Sequence, residues 1–167
     1  MRDTLTVFGL LCLSAAAVAD GERAGRTEVV AKVRQAAALI EREGDAAFRI
    51  IADPASGYRW KDTYVFAVNC EADRVMANPA FPERVGGDIK QHTDYAGKQY
   101  GLELCRTAAR PEGGWIEYVW LTPGGTTPRR KISFVMSVPG TPYQVGAGIY
   151  DHKTAIADLN DTSDRRD

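Results

Sequence analysis

Histidine is nearly absent: His92 and His152 are the only two in 167 residues, and they share no ligand-type spacing with each other or with the cysteines. A zinc or iron centre needs several such donors at short intervals, so the composition argues against a metal cofactor. Cysteine is equally sparse, three residues with no CxxC pair. No GxSxG elbow offers a serine nucleophile, and the turn after Asn69 lacks the alternating oxygens and terminal Glu of a calcium loop. Charge of one sign is missing too, the formal net charge being −1. Arg129-Arg130-Lys131 and Arg165-Arg166 form no long stripe interleaved with aromatics, so neither nucleic acid nor an anionic membrane is expected as a partner. The acids Asp62, Glu71 and Asp73 are turn residues first. Nothing supports an enzyme, and no cofactor is expected.

Long apolar runs are missing except at the start. Arg2 precedes an uncharged stretch from Leu5 to Val18, closed by the small-x-small pattern Ala17-Val18-Ala19. This reads as a secretory signal peptide over residues 1–19, with the mature chain beginning at Asp20. The run is too short and alanine-rich to span well as an anchor, and Cys12 follows two leucines, unlike a lipoprotein signal. No membrane span is expected in the mature chain. Export would leave Cys70 and Cys105, an even pair in an oxidising compartment, which favours a disulfide. The alternative is two buried thiols packing as small hydrophobes.

What is present is one domain's worth of alternating helical and strand patterning, without repeats or low-complexity linkers. Residues 20–26 read as a flexible N-terminus, 27–160 as a single domain and 161–167 as a flexible tail. Val29, Val33, Ala36 and Ile40 recur at helical spacing, predicting a long helix from Thr27, its N-cap, to Glu43, with Gly44 beyond it. A short helix from Asp45 to Ile51 follows, capped by Asp45 and stopped at Asp53-Pro54. Tyr64–Val68 and Arg74–Ala77 read as strands around a turn, Ala80–His92 as irregular, and Asp94–Arg110 as a helix with Tyr95, Leu102, Cys105 and Ala109 on one face. Trp115–Leu121, Lys131–Val138 and Tyr143–Tyr150 form a meander separated by Gly and Pro, and Ala155–Leu159 reads as a short packing tail. The short connections exclude parallel βαβ winding. The fold class is α+β: a five-stranded antiparallel sheet with the long helix on one face.

Strand parity puts Ile116, Tyr118 and Trp120 on one side of the sheet, with Trp115, Glu117 and Val119 opposite. In the next strand Ile132, Phe134 and Met136 share one side, while Lys131, Ser133 and Ser137 share the other. A face with Lys, Ser and Tyr beside Trp suits a small anion in an apolar enclosure. The other reading makes the aromatics core and Lys131 a solvated residue at a strand start. Gly146-Ala147-Gly148 lies within a strand, where it reads as room for a helix to approach the sheet.

In sequence order, Gly44-Asp45-Ala46-Ala47-Phe48, Asp62 to Val68, Ala77-Asn78-Pro79 with Gly86, Gly114 to Trp120, Lys131 to Val135 and Val145 to Tyr150 together resemble the single Cache domains of the second type. That resemblance runs from near Val29 to Tyr150. It implies a PAS-like sheet with a long N-terminal helix and a small-molecule pocket on the sheet. Domains of this family sit outside the membrane in chemoreceptors and sensor kinases and often bind small organic acids. Carried onto this chain, the resemblance makes Tyr64, Phe66, Tyr118, Trp120, Lys131 and Tyr150 the ligand-binding candidates. The chain is expected to carry no signalling domain of its own. Three functions follow in order: a soluble periplasmic or secreted module that binds a small carboxylate, an accessory protein docking on a membrane sensor or respiratory complex, and last an enzyme.

Overall fold

The computed structural model describes residues 22–151 and 153–161. The expected signal peptide, most of the expected tail, and His152 lie outside the described residues. The helices are α1 (Arg26–Glu43), α2 (Ala46–Ala52), α3 (Tyr100–Ala108) and α4 (Ile156–Asp161). The strands are β1 (Arg59–Trp60), β2 (Thr63–Asn69), β3 (Arg74–Ala77), β4 (Gly114–Leu121), β5 (Pro128–Ser137) and β6 (Tyr143–Ile149). No helix among the described residues is long and apolar enough to cross a membrane.

The fold is the expected α+β class, with an antiparallel sheet in the order β1-β2-β6-β5-β4. β1 and β3 both pair with β2, β1 near its start through Arg59↔Tyr64 and β3 near its end through Asn69↔Arg74. The sheet therefore has six strands, not five: β1 is two residues long, too short to show a period. β6, last in the chain, is inserted between β2 and β5.

Both faces of the sheet are covered, and this explains why Thr63 to Val68 is buried without alternation. On one face α1 lays Val29, Val33, Ala36, Ala37 and Ile40 over Val65, Ala67, Ile132, Phe134, Val145 and Ala147. On the other, Tyr100, Leu104 and Ala108 of α3 meet Phe66, Val68, Ile116, Tyr118, Trp120 and Val135. The parity expected for β4 and β5 is the one observed.

Several expectations are corrected. α1 begins at Arg26, and its N-cap is Gly25, whose N–H donates to Glu28, so Thr27 lies inside the helix. Asp45 precedes α2 but makes no side-chain cap; its carboxylate accepts instead from the Tyr143 hydroxyl. The helix expected from Asp94 to Arg110 spans only Tyr100–Ala108. Asp94 draws its own neighbours out of helical pairing, accepting from Ala96 N–H at 2.9 Å and Lys98 N–H at 2.8 Å, and from Val119 N–H at 2.7 Å. The buried face is also different: Gly101, Leu104, Thr107 and Ala108 point inward, while Tyr95, Leu102 and Ala109 are exposed. Gly101 is buried because the helix crosses directly over Ile89, whose carbonyl oxygen would lie 1.7 Å from any added Cβ. Ala155–Leu159 does pack back, as α4, with Leu159 buried and Asn160 accepting from Trp115 N–H at 2.8 Å.

The expected bridge between Cys70 and Cys105 is formed, with S–S 2.06 Å. It ties the turn after β2 to the middle of α3. In the chain-entropy account, a loop of 35 residues corresponds to about 4 kcal/mol.

Candidate functional site

Register decides which side chains meet on the face away from α1. Tyr118 pairs with Lys131, Ile116 with Ser133, Ser133 with Gly148, and Phe66 with Gly146. Paired residues share a face, so one patch collects Tyr64 and Phe66 from β2, Tyr118 and Trp120 from β4, Lys131 and Ser133 from β5. Tyr150 joins them just past β6. All six sequence-derived candidates are buried there.

Gly146 and Gly148 face this patch, not α1. An added Cβ at Gly148 would stand 2.8 Å from Lys131 Cε and 2.4 Å from Ser133 Oγ; one at Gly146 would stand 2.7 Å from Phe66 Cζ. The expectation that these glycines admit a helix is corrected: they leave the volume through which the Lys131 and Phe66 side chains run.

Lys131 is 0% exposed, three residues into β5, which overturns the reading of it as solvated. Its Nζ lies 3.8 Å from the Tyr64 ring centroid, 5.5 Å from that of Tyr150, 5.6 Å from Phe66 and 5.9 Å from Tyr118. No hydrogen-bond acceptor among the described residues reaches it. Burial of the charged form brings the amine down to about 7, with Asp62 pulling weakly the other way. The surrounding phenols are held neutral: burial raises Tyr64, Tyr118 and Tyr150 and lifts Tyr100 to about 12. Tyr118 Oη and Ser133 Oγ are 2.9 Å apart, and the Tyr150 hydroxyl donates to the Leu121 carbonyl.

Tyr64, Phe66, Tyr118 and Trp120 border a cavity of about 30 Å³, together with Asn78, Arg84 and Tyr100; Lys131 and Tyr150 do not border it. The amine is thus one aromatic ring removed from the cavity. Outside lies a more open groove of about 270 Å³, lined among others by Phe81, His92, Tyr95, and again Arg84 and Trp120. Those last two side chains divide the two spaces.

Arg84, His92, Tyr100 and Asn78 are the site residues that sequence reasoning missed. Arg84 Nη1 is 3.0 Å from His92 Nδ1, and its guanidinium lies 5.8 Å from the Trp120 ring centroid. No carboxylate among the described residues pairs with it. Donating to Nδ1 requires a neutral His92, in keeping with the lowering of that imidazole by burial and by the Arg84 charge. Tyr100 stacks on Tyr118 with centroids 4.4 Å apart. Tyr100 opens α3, whereas Asn78, Arg84 and His92 hang on a segment with no regular period, pinned by side chains that accept backbone N–H groups. Asn78 holds Phe81 at 2.9 Å, Asp73 holds Ile89 at 3.0 Å and Lys90 at 2.8 Å, and Asp94 holds Lys98. An arginine between Pro82 and Gly86-Gly87, in a stretch too irregular to be solvent-facing helix, was the available signal.

Comparison with known proteins agrees with this architecture. The profile of the Cache domain family matches residues 54–154. Among solved structures, a methyl-accepting chemotaxis protein from Vibrio parahaemolyticus RIMD 2210633 is similar with TM-score 0.63 and 17% identity, over 75% of this chain and 87% of that one. A Cache chemosensory domain studied for carboxylic acid recognition gives TM-score 0.63 and 20% identity, over 75% of this chain and 92% of its own. A periplasmic sensor domain of a chemotaxis protein gives TM-score 0.56 and 28% identity, over 73% and 87%. With its sheet order, its helix-covered faces and a profile match over most of its length, this chain belongs to the Cache domain family.

Proposed function

We propose that this Cache domain senses a small organic acid, bound on the sheet face away from α1, and that it works in the periplasm or outside the cell. The observation that carries the reading is Arg84. Its guanidinium, without a carboxylate partner among the described residues, borders an aromatic-walled cavity. An Arg fork pairs well with a carboxylate, and Tyr64, Phe66, Tyr118 and Trp120 would enclose the apolar remainder. Tyr100 and Asn78 add polar groups at the same wall. Lys131 and Tyr150 stand behind these rings and shape the pocket's electrostatics. The cavity has room for about two waters, so an acid would enter by displacing Arg84 and Trp120 toward the outer groove. The Cys70–Cys105 bridge and the Leu5–Val18 run support a location outside the cytoplasm.

A thermal-shift screen of the protein against small organic acids, amino acids and purines tests this. A saturable rise with one or more monocarboxylates is expected, weakened about ten-fold or more in apparent affinity by Arg84→Gln. The small size of the closed cavity favours a second reading, an accessory protein that docks on a membrane sensor or respiratory complex without a solute. Absence of any shift across the panel, with a membrane protein retained in a pull-down, would select it.

A further inference from the structure

The organic-acid reading gives Lys131 no contact with the ligand, only a place behind the rings that wall the cavity. An ammonium is strongly hydrated, yet this nitrogen is fully buried, has no hydrogen-bond acceptor among the described residues and is walled by four aromatic rings. Three of those rings, Tyr64, Phe66 and Tyr118, are also walls of the cavity that Arg84 borders. Gly148 keeps open the channel through which the lysine stem reaches them.

We propose that Lys131 Nζ captures its ligand covalently and reversibly, as an imine with a small acid that carries an aldehyde or ketone carbon next to its carboxylate. The inference rests on the organic-acid reading, with the carboxylate held at Arg84 and the carbonyl turned toward Nζ once the Tyr64 ring swings aside. Buried lysines in apolar surroundings are suited to this because the neutral amine keeps its lone pair. The lone pair adds to the carbonyl carbon, and an N–H proton passes to the oxygen to give a carbinolamine. Loss of that hydroxyl with the remaining N–H proton forms C=N and releases one water. No oxidant, reductant or net proton is needed, and the water released leaves by the outer groove, whose walls Arg84 and Trp120 share with the cavity. The neutral fraction is large here, since burial holds the amine near 7. A solvated lysine at neutral pH is almost wholly protonated.

Glyoxylate, the smallest such acid, is the probe. The full chain is incubated with it at neutral pH, with and without cyanoborohydride, and the product is mapped by peptide mass spectrometry; acetate serves as the acid without a carbonyl. The expected result is a reduced adduct of glyoxylate's mass less one oxygen, at Lys131, at least about ten-fold above that on Lys61 or Lys98. Lys131→Arg should lose that adduct, and the wild-type map decides the matter if the variant fails to fold. A thermal shift with glyoxylate or acetate, but no preferential adduct at Lys131, overturns covalent capture and leaves the organic-acid reading standing. Neither a shift with either acid nor an adduct at Lys131 overturns both.

Discussion

At the scale of single residues, a buried amine has consequences for stability that do not depend on any ligand. Lys131 is held near 7 in the folded chain by burial, against an ordinary value of 10.5. The unfolded chain therefore binds the extra proton at neutral pH, and folding works against it. Stability from this group is complete only above 10.5 and falls as pH drops toward 7. Its neighbours are Tyr64, Tyr118 and Tyr150, all raised by burial, and the charge acting on it is that of Asp62. The raised phenols act oppositely: their contribution is intact below about 10 and declines above it. Unfolding in urea should accordingly show stability rising by about 2 kcal/mol from pH 7 to pH 9. Lys131→Met removes the cost of burying an amine, so it should raise the melting temperature at pH 7 and flatten that rise. An unchanged slope in the variant would mean that another group titrates.

At the scale of elements, the bridge between the turn after β2 and α3 matters because α3 carries Tyr100 and Leu104 to the cavity. Replacing both Cys70 and Cys105 by Ser should cost about 3–4 kcal/mol in urea unfolding under oxidising conditions. A loss below about 1 kcal/mol would show that the reduced chain is already held in place by the packing of Leu104 and Ala108. The same elements show what the amino-acid order reveals and what it hides. Strands were legible because period-2 alternation fixes a face, so Tyr118 could be put with Trp120 on one side of β4, and Lys131 with Ser133 on one side of β5, while only the register Tyr118↔Lys131 joins the two sides. α1 was legible because Val29, Val33, Ala36 and Ile40 keep one stripe. The segment between β3 and α3 was not, since Asp73, Asn78 and Asp94 organise it through side-chain bonds to backbone, which have no period. Arg84 therefore carries no periodic signal, and the helix expected from Asp94 overruns residues that its side chain folds into a loop.

At the scale of the whole molecule, the sheet is closed by its last strand. β6 pairs with β2 on one side and β5 on the other, so it joins β2–β3 to β4–β5. Remove it, and α1 also loses the strand it packs on most closely. A chain ended before Tyr143 should show no cooperative melting transition and little dispersion in its amide NMR spectrum; a sharp transition would mean that the remaining strands re-pair without it.

Insertion of β6 between older neighbours also sets an order in time. Residues made early, Tyr64 and Phe66, cannot take their final places until residues made some eighty positions later have arrived to lie beside them. The candidate site thus cannot form in a nascent chain that has not yet reached β6. If the chain is exported as proposed, late closure keeps it unfolded for the passage, and the sheet face that holds the candidate site assembles only afterwards.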